Sequence, residues 1–113
     1  MPSADESLRY AQFVTLDTLT EAGVTENGLS YRVQAITYQV TIASIGTNVV
    51  IRFEGSLDGV TYFNLDQNNV DTTITSNSTT GYCLSGCPIN FARLRLVSFS
   101  GGSPSVATLM SAG

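Results

Sequence analysis

Histidine, lysine and tryptophan are missing from this chain of 113 residues, and charged residues make up only 12% of it. Without His, the side chain that titrates near neutrality is gone, so acid–base work would fall to carboxylates, Tyr or Cys. A nucleophile needs an adjacent base, and neither Cys83 nor Cys87 has a His to activate it. An enzyme is therefore not expected. Five Arg are the only cations against nine acids, for a net charge of −4. Phosphate contacts need clustered cations, so no nucleic-acid partner is expected. Zinc needs ligands beyond two Cys, so neither a metal nor a cofactor is expected. No apolar run approaches the roughly 18 residues of a membrane span. The opening MPSADESLRY has no basic or apolar region of the kind a secretory signal carries.

What is present is a hydrophobic fraction of 42%, enough for one core at this length. Residues 1–9 are polar, acidic and without periodicity, and are expected to be a flexible arm. Residues 10–113 are expected to form one domain. Tyr10 to Leu19 alternates loosely, with Val14 and Leu16 on one face. Ile36, Tyr38, Val40 and Ile42 alternate with Thr37, Gln39, Thr41 and Ala43, the period of two that marks a half-buried strand. The phase slips near Ala35–Ile36, which predicts a bulge. Ile45 to Asn48 is expected to be a turn. Val49, Ile51 and Phe53 then point inward, with Val50, Arg52 and Glu54 outward. Val70, Thr72 and Ile74 suggest a weak edge strand. Phe91, Arg93, Arg95, Val97 and Phe99 alternate with Ala92, Leu94, Leu96 and Ser98. Val106 to Met110 is expected to pair back on 91–99. About seven or eight short strands joined by Gly-, Asn- and Ser-rich turns predict an all-β, antiparallel, jelly-roll-like β-sandwich.

Few stretches offer chemistry. Ser56-Leu57-Asp58-Gly59 suits a tight turn, with Gly at positive φ and Asp bonding nearby backbone; a carboxylate pair of Asp58 and Asp66 is the catalytic alternative. Residues 66–71, DQNNVD, supply oxygen ligands but lack the Gly and Glu of a calcium loop. Asn77-Ser78-Thr79 matches the glycosylation triplet, a match common by chance, and no glycosylation is expected from it. Cys83 and Cys87 are either two reduced, partly buried thiols or a disulfide. Arg93 and Arg95 share one strand face and either pair with a neighbouring acid such as Glu54 or meet an acidic partner surface. Tyr38 and Tyr62 are expected at the core or its edge. A surface rich in Ser, Thr and Asn and poor in charge suits packing against copies of the chain or another partner.

The hairpin E-G-S-L-D-G-V-T-Y, the strand F-A-R-L-R-L-V-S-F-S-G-G and the closing SVATLMSAG resemble small virion structural proteins of tailed bacteriophages. There a hairpin S-x-D-G-x-x-[WY] is followed by a [YF]-x-R-[LV]-R strand and a Gly-rich turn. Ser56, Asp58, Gly59 and Tyr62 match the hairpin, with Tyr in place of the commoner Trp; Phe91, Arg93 and Arg95 match the strand. The likeness covers about residues 36–110. It implies a β-sandwich of the capsid decoration, or cement, type, made in the host cytoplasm and located on the capsid surface. Its partners would be the major capsid protein and further copies of itself, as a dimer or trimer. The contacts are expected from Leu8, Arg9, Tyr10 and Phe13 in the N-terminal stretch, Asp58 at the hairpin tip, and Arg93 and Arg95. The alternatives are a carbohydrate-binding sandwich for host adhesion, with exposed aromatics near Tyr62 or Tyr82, and a tail or connector subunit.

Overall fold

A computed structural model describes residues 14–28, 33–66 and 68–112. They form seven strands and no helix, all paired antiparallel. The strands are β1 (Val14–Thr15), β2 (Gly23–Val24), β3 (Val33–Ser56), β4 (Phe63–Asn64), β5 (Thr72–Ile74), β6 (Ser78–Ile89) and β7 (Phe91–Ala112). The all-β, antiparallel class is the one the alternation predicts.

The lengths differ from the expected run of short strands. β3 and β7, with 24 and 22 residues, pair along almost their whole length, from Ile36 opposite Ala112 to Ser56 opposite Phe91. Ile45 to Asn48 is therefore a bend inside a strand instead of a turn between two. Likewise, 106–110 pairs with 38–42 of β3 and not with 91–99. Both departures have one cause: the Gly-rich segments kink the two strands together. The register shifts between Ala43 and Ile45 and again before Asn48. Ser44 has φ of 57°, and Gly101 and Gly102 have φ of 71° and 64°. A methyl group on Gly46 would collide with the backbone of Gly101 and Gly102, so the strands cross here at a distance only glycine permits. The Asn77 side chain accepts the Ile45 N–H at 2.9 Å, satisfying a donor at the bulge. The predicted slip near Ala35 appears as a register shift between Val33 and Ala35 against β6.

The kink folds the sheet on itself. Tyr38 and Phe53 lie fifteen residues apart, about 50 Å along a straight strand, yet their ring centroids are 4.7 Å apart. The same two strands, β3 and β7, pair on both sides of the bend, so the two facing layers are halves of one sheet. The first half runs β6, β3, β7, β1; the second places β4 and β5 beside β3, and β2 beside β7. Ile36, Tyr38, Val40 and Ile42 face Val49, Ile51, Phe53, Leu94 and Leu96, and all of these are buried. The Tyr38 hydroxyl crosses the core to the carbonyls of Arg93, at 3.3 Å, and Glu54, at 3.5 Å. Burial pushes its phenol well above the usual range, reinforced by the Glu54 charge.

Candidate functional site

The second half-sheet carries an ionic cluster on its outer face. Register builds it. Asn64, Glu54 and Arg93 lie side by side across β4, β3 and β7, and Arg52 and Arg95 are neighbours in the next row. Two like charges directly opposite each other repel, so the row needs acids close by. Glu54 supplies one: its Oε1 accepts from Arg93 Nε at 2.8 Å and its Oε2 from Arg95 Nε at 2.7 Å, with Arg52 Nη1 at 3.6 Å. Asp71 supplies the other, gripping Arg52 through two bonds of 2.8 and 3.1 Å. The Asn64 amide steadies Asp71 at 3.1 Å.

Glu54 points away from the core, as the alternation requires, yet it is only 3% exposed. Its cover is the surrounding guanidinium groups. Burial pulls its carboxyl upward, but the hydrogen bonds and charges of Arg95 and Arg93 outweigh that, and the group sits below the ordinary glutamate value. Asp71 is lowered by its bond to Arg52, and Arg52 is raised in return. Three of the chain's five arginines thus meet two carboxylates in a protein whose net charge is −4.

Beside the cluster stands the hairpin tip. Ser56 Oγ accepts the Gly59 N–H at 2.8 Å and donates to Asp58 Oδ1 at 3.0 Å. The same oxygen of Asp58 accepts the N–H groups of Val60 and Thr61 at 2.8 and 2.9 Å. Gly59 has φ of 78°, the conformation such a turn asks of glycine. Those backbone donors hold the Asp58 carboxyl below its usual range. Asp58 is therefore a turn builder, and Leu57 and Val60 project from the tip at 62% and 81% exposure. The chain returns through Tyr62, whose ring lies 3.5 Å from the Arg93 guanidinium carbon, a cation–π contact. The Tyr62 hydroxyl donates to Asn27 at 2.6 Å.

The structure thus brings Asp58, Arg93 and Arg95 onto one end of the molecule. Leu8, Arg9, Tyr10 and Phe13 lie outside the described residues, as does the arm 1–9. Asp58 and Asp66 each bind their own loop: Asp66 accepts the N–H groups of Asn68 and Val70. Among the described residues no three His, Cys, Asp or Glu side chains are placed to share a metal ion. Cys83 is a free thiol and is exposed, not partly buried; the Cys87 side chain is outside the description. Asn77, of the discounted glycosylation triplet, serves the bend. Tyr82 packs on Phe53 at 4.9 Å. The Arg52–Asp71 pair was not foreseen. Arg52 shares parity with Glu54, which was visible, but the register that brings Asp71 beside it was not.

Set against known proteins, the chain matches no family model, no curated protein and no solved structure.

Proposed function

We propose that the chain is a virion structural subunit of the decoration, or cement, type. It would bind the outer shell made by the major capsid protein and bridge neighbouring capsid subunits. The observation that supports this most is how the two resembling stretches fit together. Ser56, Asp58 and Gly59 make the turn, Tyr62 returns onto Arg93, and Arg93 and Arg95 close on Glu54. Every matched polar residue helps to hold one rigid projection, tipped by Leu57 and Val60. Apolar residues on a loop held by a firm scaffold are suited to recognition, because little conformational freedom is lost on docking. Arg93 covers one ring face of Tyr62, and Tyr82 packs against Phe53, so both aromatics are already engaged within the chain.

Cosedimentation with expanded, empty capsids tests the proposal. The chain should pellet with the capsids and raise the temperature at which they rupture. Leu57→Asp combined with Val60→Asp should abolish pelleting without unfolding the chain. No pelleting of the unaltered chain, or equal heat resistance of bare and coated capsids, would remove the cementing role.

A further inference from the structure

Strand β6 is a sheet edge: it pairs with β3, and no described strand lies on its other side. Hydrogen bonds elsewhere in the half-sheet fix which of its backbone groups are unused. The Leu16 N–H donates to the Thr108 carbonyl, and Val106 exchanges two bonds with Leu19. Val106 and Thr108 therefore turn their backbone groups toward the β1 side. Alternate residues of an antiparallel strand point opposite ways, so Ala107, Leu109 and Ser111 bond to Thr41, Gln39 and Thr37 of β3. Ile36, Tyr38, Val40 and Ile42 then serve β6 through Leu84, Tyr82, Thr80 and Ser78. What is left on β6 is Thr79, Gly81 and Cys83, whose N–H and C=O groups face out of the sheet.

Such edges are usually guarded by charge, proline or a bulge. From Ser78 to Leu84 there is no charged residue and no proline, the register is unbroken, and nothing crowds Gly81. We propose that this edge pairs antiparallel with the same edge of a second copy, about a two-fold axis at Gly81. Gly81 then faces its own counterpart and Thr79 faces Cys83 of the second copy, each pair exchanging two N–H···O bonds. A two-fold contact uses one patch twice, which an antiparallel edge does without alteration. Charge favours a second copy here over the other edges. The chain carries a net −4, and acids flank those edges: Asp17 after β1, Glu26 after β2, and Asp66 and Asp71 between β4 and β5. The β6 edge brings two copies together without opposing any like charges across the join.

This inference adds self-association to the proposed virion subunit, and its test needs no capsid. Failure here would leave capsid binding standing, and failed cosedimentation would leave the dimer standing. The experiment is residue-resolved amide exchange on the purified chain over a concentration series, with mass from light scattering. The amides of Thr80, Tyr82 and Leu84 should be protected throughout. Those of Thr79, Gly81 and Cys83 should exchange freely when dilute and slow by about tenfold or more as the mass doubles. Gly81→Pro deletes an outward N–H that β3 does not use, so it should keep the first set protected and the chain monomeric; Gly81→Lys should do the same by setting two like charges face to face across the axis. A chain that stays monomeric at millimolar concentration, a dimer whose Thr79, Gly81 and Cys83 amides stay open, or unweakened dimers of both folded variants would overturn the proposal.

Discussion

The two outer faces of the folded sheet are opposites. Both are built from β3 and β7, and both back onto the same core. On the first half, Thr37, Gln39, Thr41, Thr79 and Cys83 are exposed and uncharged. On the second half, Arg52, Glu54, Asp71, Arg93 and Arg95 form a continuous ionic cluster. Exposed ion pairs contribute little, because water already solvates both charges. Here the cluster buries one carboxylate almost fully and leaves its arginines half-buried, so each charge depends on the others. The uncharged face has no such dependence. One face is thus held by mutual electrostatics and the other is open for contact.

Glu54→Ala should separate the faces most sharply. It strands Arg93 beside Arg95 and Arg52 with Asp71 as the remaining acid. We expect a loss of about 3 kcal/mol, the low end for breaking a buried pair because the arginines still touch water, read from urea midpoints. Gly46→Ala attacks the bend that holds the two halves face to face. Overpacking against backbone should cost about 1–3 kcal/mol, with the Tyr38–Phe53 contact weakened in near-ultraviolet circular dichroism.

Acid should act on the ionic face and on the hairpin tip beside it, where Asp58 is also depressed, and leave the uncharged face alone. The folded values of Glu54 and Asp71 are depressed, so the folded state holds fewer protons than the unfolded chain as pH enters the carboxylate range near 4. Their contribution is present above that range and lost as pH falls through the folded values. Glu54→Gln should flatten that acid limb in a pH series of unfolding free energies. Tyr38 acts at the other extreme. Its folded value is raised, so its contribution is intact below about pH 10, the ordinary tyrosine value, and fades above it. Tyr38→Phe should remove that alkaline loss. The smallest effect belongs to the open face: Thr37→Ser and Thr41→Ser should each stay within about 0.5 kcal/mol.

Much of this was legible in the chain. The alternation at Ile36–Ile42 and Val49–Phe53 marked the buried residues correctly, and Ser56–Gly59 announced its turn through Asp and Gly. The pairing of Glu54 with Arg93 and Arg95 was the plain alternative for those arginines, and it is the one observed. Glu54's burial was not legible, because alternation assigns a face and not what later covers it. The bend at Ser44–Asn48 looked like a chain reversal, because Gly and Asn serve bulges and turns alike.

The sequence by itself determined that the described residues are all-β, which side chains face the core, and how the hairpin tip closes. These follow from a period of two and from local turn chemistry, each settled within a few residues. Only the tertiary structure decided that β3 and β7 are single kinked strands, that Asp71 meets Arg52, and that β6 is left at an edge. Those depend on which strands become neighbours, and that is set by packing two half-sheets around one core.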